Sequence, residues 1–359
     1  MAERETFQID RRKAAITAVI GLVVAVAVIG GLGQVADYHK MLSALEASGK
    51  PWLVIGLLGE LLAYVGYVIA YRDVARADGG PCLSYWTATR VVMVGFGAFI
   101  AGSSAGTLGV DYWALQRAGD KPHVAARRVL ALNTLEWGLL ASGATIAAII
   151  TLAGRGSGAP LAMELAWIVV VPFCIAAARW VSSPQRADRL AALPRDRCRL
   201  SRDPRTWPRW LRDLARAGLA DAIGGVVLVR YIVAHQHRHW HATAGFILYW
   251  AADLFALYVA LRAFGAHIAP APLLLAYTTA YVVTSLPLPA GGAGGVEAGL
   301  AFSLHAVGIP LAPALLATLV YRVYTLWVPL LVAAAFLPQV PKLAADLPRV
   351  ERAQVQRAN

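Results

Sequence analysis

Long apolar runs dominate the chain, and each is about the length of a helix that crosses a membrane. A run of roughly 20 apolar residues spans the hydrocarbon core as an α-helix, whereas outer-membrane barrels show short alternating strands, which this sequence lacks. The pattern predicts an all-α polytopic membrane protein with about six to eight spanning helices. The predicted spans include 14–32, 52–71, 129–153, 161–181, 242–262 and 312–337.

A glycine- and proline-rich segment interrupts this pattern near the C-terminus. Between Ser285 and Leu300 the chain carries two prolines and five glycines, which cannot continue a helix, although the flanks are strongly apolar. Irregular backbone at bilayer depth needs protein or a wet cavity to satisfy its polar groups. We therefore predict a re-entrant hairpin over 272–306. The alternative is a loop between two ordinary spanning helices.

A similar interruption lies upstream, in the apolar stretch 91–117. It contains G-S-S-A-G-T-L-G at Gly102–Gly109, and both of its flanks are basic. Because loops rich in lysine and arginine stay in the cytoplasm, two basic flanks predict that this stretch dips into the membrane and returns. The flanking basic residues are Arg72 and Arg76 before the stretch, and Arg117, Lys121, Arg127 and Arg128 after it.

Composition and charge agree with a membrane protein. Of the 359 residues, 58% are hydrophobic and 15% are charged, and the formal net charge is +12. Arginines concentrate between Arg179 and Arg216, where a juxtamembrane loop would face the cytoplasm and contact anionic lipid headgroups. That placement between spans argues against binding to nucleic acid.

The distribution of positive charge also predicts the topology. It places the N-terminus in the cytoplasm. We expect the protein in a bacterial cytoplasmic (inner) membrane. The segment 182–241 is predicted to be a basic cytoplasmic segment, and 338–359 a cytoplasmic tail. Within the former, 219–241 is interpreted as an amphipathic helix on the inner surface. The alternative for 219–241 is a spanning helix.

The two interrupted segments resemble each other. Gly109-Val110-Asp111 matches Gly295-Val296-Glu297, since in both a glycine-rich turn ends in a carboxylate. We therefore predict an inverted repeat within one integral membrane domain, with repeat one at about 52–181 and repeat two at about 242–337. Chance similarity among alanine-, glycine- and leucine-rich helices is the alternative.

Several ionisable side chains fall inside or next to the apolar spans. An unpaired charge there costs several kcal/mol, so each should face a partner or a wet cavity. Arg322 is predicted to meet a lipid phosphate together with the polar hairpin backbone. Glu297 should pair with Arg322 or with a cationic headgroup, or the two could form a purely structural ion pair. Glu60 and Asp253 are interpreted as ordinary polar contacts between helices. The predicted substrate-binding residues are Glu297, Arg322, Gly291, Gly292, Gly294, Gly295, Pro287, Pro289, Asp111, Glu136, Asn133 and Tyr321.

Motifs for metal, nucleotide or covalent chemistry are absent from the sequence. The alternating histidines at 235, 237, 239 and 241 have no nearby cysteine or carboxylate to complete a metal site, so we predict no metal. There is no G-x-S-x-G, H-E-x-x-H or P-loop motif. We expect no cofactor and no catalytic residue, and the pattern leaves open self-association into a homo-oligomer.

The C-terminal motifs carry a family resemblance. The run P-L-P-A-G-G-A-G-G-V-E-A-G-L, followed by Y-R-V-Y-T-L-W-V-P, resembles the transmembrane region of lysylphosphatidylglycerol synthase/flippase proteins. The upstream G-S-S-A-G-T-L-G-V-D-Y-W is similar to that family's first hairpin. The extra alanine in A-G-G-A-G-G departs from the family pattern. The resemblance covers about 14–337 and assigns hairpin and arginine positions to Pro287, Pro289, Gly291, Gly292, Gly294, Gly295, Glu297 and Arg322.

The resemblance implies movement of a phospholipid or lipid-linked molecule between leaflets without ATP hydrolysis. Members that aminoacylate lipids carry a further synthase domain. Only a short segment follows the last predicted helix, so we expect no aminoacylation. Two other classes remain, namely a membrane-embedded enzyme acting on lipid-linked sugars or phosphates and a non-transporting scaffold.

Overall fold

The computed structural model describes residues 50–154, 158–183, 185, 207–285 and 294–348. Within these ranges the chain forms helices and no strands, which confirms the predicted all-α fold. The α-helices are α1 (Lys50–Arg76), α2 (Tyr85–Arg117), α3 (Pro122–Ala153), α4 (Leu161–Val181), α5 (Trp207–Ala234), α6 (Gln236–Ala263), α7 (Pro270–Tyr281), α8 (Gly295–Ala306), α9 (Leu311–Arg322), α10 (Val328–Phe336) and α11 (340–348).

Six helical segments in the described part of the chain are long and apolar enough to cross a membrane. This number agrees with the prediction of a multi-pass membrane protein, and the predicted first span at 14–32 lies outside the described residues. The six segments are Val54–Gly79, Pro122–Ala153, Leu161–Val181, Ala215–Ala234, Gln236–Ala263 and Leu311–Phe336.

Helices α1 and α6 form a tightly packed antiparallel pair at the centre of the protein. Where they cross, a Cβ atom added at Gly66 would lie 2.6 Å from the carbonyl oxygen of Gly245, and the reverse distance is also 2.6 Å. Only residues without a side chain let two helix backbones approach this closely. The pairing places the C-terminus of α1 beside the N-terminus of α6, where the Arg76 guanidinium donates to the carbonyl oxygen of Arg238 at 3.1 Å.

Several helix ends meet on one side of the protein, which we call the basic face. Arg128 of α3 is buried there and donates to the carbonyl oxygens of Ala77 and Asp78, just beyond α1. An arginine at this position complements the dipole at the C-terminal end of α1. At the end of α4, the carbonyl oxygen of Ser182 accepts a hydrogen bond from Arg230 at 2.9 Å. The basic face is the side that the charge pattern assigns to the cytoplasm.

Although helical over its whole length, α2 reverses direction between Ala98 and Gly106. In a straight helix Gly95 and Thr107 would be about 18 Å apart along the axis. The Thr107 hydroxyl instead donates to the carbonyl oxygen of Gly95 at 3.1 Å. A Cβ atom at Gly106 would also contact the backbone of Ala98. The helix is therefore a hairpin with two limbs.

Both limbs of α2 end at the basic face. Arg90, in the first limb, forms a 2.9 Å salt bridge with Asp346 of α11. Arg117, at the end of the second limb, donates to the carbonyl oxygen of Ala344, two residues away. Because one short helix contacts both limbs near their ends, the chain leaves α2 on the side where it entered.

The second hairpin consists of α7, the 3₁₀ turn Val282–Ser285, and α8. Its limbs pack together where a Cβ atom at Gly299 would lie 3.7 Å from Ala280. It begins on the face opposite the basic face, because α7 follows the end of α6 and packs along the C-terminal half of α3. Its closing residues 286–293, which include Pro287, Pro289, Gly291 and Gly292, lie outside the described residues.

The two hairpins approach from opposite faces and meet within the protein. The Ser104 hydroxyl of α2 donates to the carbonyl oxygen of Thr284, beside the end of α7, at 3.2 Å. This contact joins the residues next to the two reversals.

The segment predicted as one surface helix at 219–241 is divided at His235. Helix α5 ends at Ala234, and residues 236–241 form the first turns of α6, so the predicted boundaries were wrong. The helix breaks there because His235 adopts φ −111° and ψ 41°, outside the helical range. Along α5, Asp221 faces Arg127 near the start of α3, and Arg230 contacts the end of α4.

The predicted C-terminal tail at 338–359 contains an ordered helix in its described part. Leu343 and Leu347 of α11 are fully buried in the core that α1, α2 and α3 share. Asp346 supplies the charge that pairs with Arg90. The tail therefore contributes to packing at the basic face and holds the two limbs of α2.

Candidate functional site

A cavity of ≈ 140 Å³, lined by both polar and apolar side chains, lies between the two hairpins. The first hairpin contributes Ser104, Thr107 and Asp111 to its wall, and the second contributes Tyr281 and Thr284. The long helices α1, α3 and α6 and the segment after α9 form the remaining wall. Residues of both hairpins thus border the same cavity.

The ionisable groups of the cavity lie near the middle of the predicted membrane. The start of α9 and the end of α6 both lie at the face opposite the basic face. Arg322 is about 16 Å of helical rise from the start of α9, and Asp253 is about 15 Å from the end of α6. The hydrocarbon core of a bilayer is about 30 Å thick. Asp111 is closer to the basic face, about 9 Å from the end of α2.

One side of the cavity is built around the buried carboxylate of Asp253. Both of its oxygens lie 2.9 Å from the hydroxyl of Tyr321, which donates to it, and Tyr277 also donates a hydrogen bond. The hydroxyl of Tyr281 lies 2.6 Å from that of Tyr321. Glu60 of α1 faces this carboxylate across the cavity wall. The cluster fixes α1, α6, α7 and α9 relative to one another.

A second pair of carboxyl groups lines the opposite wall. Asp111 of α2 is 2% exposed, and Glu136 of α3 lies near Tyr67 on the cavity wall. The indole of Trp250 donates to the backbone carbonyl of Glu136 at 2.9 Å, which fixes α6 against α3. Asn133 lies one turn before Glu136 and also lines the cavity.

Arg322 links the cavity wall to the second hairpin. Its Nε donates to Glu297 at 2.8 Å, and both side chains are buried. The other carboxylate oxygen of Glu297 accepts a hydrogen bond from the backbone N–H of Gly294 at 2.6 Å. Gly294 has φ +87°, a conformation that favours glycine. Glu297 therefore holds the start of α8 while it neutralises Arg322.

A π-helical turn, Val323–Trp327, follows Arg322 directly. Pro329 is responsible for part of this irregularity, because it has no N–H to donate to the carbonyl of Thr325. The widened turn places Thr325 and Leu326 on the cavity wall beside Arg322. Single π turns within α-helices occur frequently at functional sites.

Four buried polar atoms on the cavity wall have no hydrogen-bond partner within the described residues. They are Oε2 of Glu60, Oδ2 of Asp111, Oγ1 of Thr325 and Nη2 of Arg322. A buried polar group without a partner is destabilising, and such groups usually contact water or a ligand. The cavity thus presents unsatisfied acceptors together with one unsatisfied cationic donor.

The structure brings together some of the predicted binding residues and separates others. Arg322, Asp111, Glu136 and Asn133 line the cavity. Tyr321 is fully buried behind it and supports Asp253. The predicted residues that lie beside the cavity as supports of the hairpin are Glu297, Gly294 and Gly295, and those outside the described residues are Pro287, Pro289, Gly291 and Gly292.

Sequence reasoning interpreted Glu60 and Asp253 as ordinary polar contacts between helices, and it did not predict their place at the cavity. Both line the cavity, and Glu60 reaches it from the same side of α1 as Tyr64 and Tyr67. The helical spacing of this carboxylate and these tyrosines at 60, 64 and 67 was a usable signal, because residues three and four apart share one face. The pairing of Glu60 with Asp253 joins two different helices, so residue spacing within one helix could not predict it.

The fold and cavity define the class, a multi-pass α-helical membrane protein with a cavity between two helical hairpins. The family model described as the lysylphosphatidylglycerol synthase TM region matches residues 18–333. The chain belongs to this family, which confirms the resemblance seen in the motifs. A search of curated proteins finds no match to the chain.

Proposed function

We propose that the protein moves a phospholipid or lipid-linked molecule between leaflets without ATP hydrolysis. The family is a membrane domain linked to lipid flippase function. The observation that carries the proposal is the set of buried, unpartnered polar atoms around a cavity that both hairpins reach. Secondary transporters built from inverted repeats bind substrate near the midplane, where broken helices meet.

In this proposal the two hairpins are re-entrant, and the basic face is the cytoplasmic side of a bacterial inner membrane. The salt bridge of Arg90 and the hydrogen bond of Arg117 to neighbouring parts of α11 support a hairpin that enters and leaves on one side. Single cysteines at Ser84 and Lys121, in a background without native cysteines, should react with an impermeant maleimide from the same side. A cysteine at Ala312 should react from the other side. Labelling of Ser84 and Lys121 from opposite sides would rule out the hairpin.

The chemistry of the cavity favours a headgroup that carries both a phosphate and an amine. Nη2 of Arg322 is an unused donor suited to a phosphate oxygen, since arginine forms strong charge-assisted bonds to phosphate. Oδ2 of Asp111 and Oε2 of Glu60 are unused acceptors suited to an ammonium group. A charged headgroup would exchange its hydration for these contacts while its acyl chains stay in lipid.

The experiment that tests the proposal is lipid exchange in proteoliposomes. Lipids labelled on an acyl chain, with anionic, zwitterionic or cationic headgroups, are followed by dithionite quenching. We expect exchange that depends on the headgroup and is slowed about tenfold or more in Asp111→Asn and Arg322→Gln, since each loses a charged contact. Glu164→Gln is the matched control, because Glu164 is also a buried carboxyl in a spanning helix but lies outside the cavity.

The outcomes of this experiment separate the three classes of function. Exchange that is equal in wild type and both cavity variants would remove the cavity from the mechanism. Well-folded protein that exchanges no lipid at all would favour a membrane-embedded enzyme or a scaffold.

A further inference from the structure

A second polar pocket lies at the basic face, where the end of α1 meets the starts of α2 and α6. Its volume is ≈ 160 Å³, and it shares no lining residue with the central cavity. Its wall consists of Ile69, Arg72, Asp73, Arg76, Tyr85 and His241.

The acidic group in this pocket is already saturated by donors. Asp73 is 2% exposed, and its Oδ1 accepts from Nε of Arg76 at 2.6 Å and from Nδ1 of His239 at 3.3 Å. Its Oδ2 accepts from the backbone N–H of Ala242 at 2.8 Å. Because Arg76 neutralises Asp73, the charge that remains in the pocket is that of Arg72.

Arg72 is held in place with its terminal nitrogens unused. Its Nε donates to the carbonyl oxygen of Leu83 at 2.7 Å, and its guanidinium lies 3.8 Å from the centre of the Tyr85 ring. Among the described residues, its two terminal nitrogens have no hydrogen-bond partner. A planar guanidinium fixed through Nε and an aromatic ring presents its remaining donors in one defined direction.

His241 supplies a further unused group. Its ring stacks on Trp240 with the ring centres 4.0 Å apart, which fixes its orientation. Its Nδ1 is buried and has no hydrogen-bond partner in the part of the chain that the structure describes. A ring nitrogen that carries a proton is a donor, so it complements the arginine in binding an anion.

Aromatic residues around the pocket indicate its level in the membrane. Tyr85, Trp86 and Trp240 are exposed by 55%, 56% and 55%. Exposed tyrosine and tryptophan are enriched at the level of the lipid headgroups. The pocket therefore opens where phosphate groups of the adjacent leaflet are found.

We infer that this pocket is a second binding site, separate from the central cavity, that takes a phosphate group through Arg72 and His241. The phosphate belongs either to the phosphodiester of a lipid headgroup or to free inorganic phosphate. Arginine binds phosphate oxygens through two parallel N–H bonds, which fits the free end of Arg72. This inference does not depend on lipid exchange, because it predicts binding at equilibrium.

Calorimetric titration of the full chain in a neutral detergent tests the site. The probes are dihexanoylphosphatidylglycerol, inorganic phosphate and dihexanoylglycerol, which has no phosphate. We expect saturable binding of the phospholipid. The affinity should be weaker by about tenfold or more in Arg72→Gln, because this variant loses a charge-assisted contact. The variant His241→Phe keeps the stacked ring, so it should fold normally and still bind more weakly.

Arg179→Gln is the matched control, because Arg179 is an exposed arginine near the same face and outside the pocket. Binding of both phosphate probes, weakened by Arg72→Gln and not by Arg179→Gln, supports a phosphate site open to either source. Binding of the phospholipid alone with the same dependence supports a headgroup site. Equal weakening by both arginine variants, equal binding of dihexanoylglycerol, or no saturable binding would overturn the inference.

Discussion

The ion pair between Glu297 and Arg322 offers a test that separates a structural role from a binding role. Both side chains are buried, with exposed fractions of 8% for Glu297 and 6% for Arg322. Removing one partner of a buried ion pair costs about 3–5 kcal/mol, because the other charge is left unpaired. We therefore expect Glu297→Leu and Arg322→Met each to lower the free energy of unfolding by about 3–5 kcal/mol.

The double variant should be far more stable than the sum of the single variants predicts. It leaves no unpaired charge, and replacing a buried ion pair by apolar side chains is often nearly neutral. The loss of the hydrogen bond from the N–H of Gly294 to Glu297 should still cost about 1 kcal/mol. We expect the double variant to recover at least about 2 kcal/mol relative to additivity.

Unfolding in mixed detergent micelles, followed by circular dichroism, measures these energies, and lipid exchange is measured on the same four proteins. If Arg322 also binds substrate through Nη2, the double variant should be folded and still inactive. Additive destabilisation would refute the argument that the two side chains form a coupled pair. Normal exchange by the double variant would confine the pair to a structural role.

Two further predictions concern packing and the contact between the hairpins. Gly245→Ala should destabilise the protein by about 1–3 kcal/mol in thermal unfolding, since its Cβ would lie 2.6 Å from the carbonyl oxygen of Gly66. Gly138→Ala, where no atom lies within 4 Å of the new Cβ, should leave stability unchanged. Cysteines at Ser104 and Thr284, in a background without native cysteines, should cross-link under oxidation, as seen by a shift in electrophoretic mobility. Absence of the cross-link would contradict the contact between the two hairpins.

The sequence alone determined the class of the protein, a multi-pass α-helical membrane protein. Long apolar runs can satisfy their backbone polar groups in lipid only as helices, so length and composition were sufficient for the all-α fold. Basic residues at both ends of 91–117 predicted a chain that returns to the same side. The contacts of Arg90 and Arg117 with α11 agree with that prediction. The link between Glu297 and Arg322 was also foreseen, because each charge in a span needs a partner.

Only the tertiary structure decided which polar groups share a cavity. Glu60 and Asp253 lie on different helices, and they meet because glycines at the crossing of α1 and α6 let these backbones approach closely. Sequence spacing describes neighbours on one helix, whereas such pairing depends on how helices pack. The ordered helix 340–348 and the break at His235 were decided in the same way. Burial of leucines and a local backbone conformation set these boundaries, and neither can be read from hydropathy.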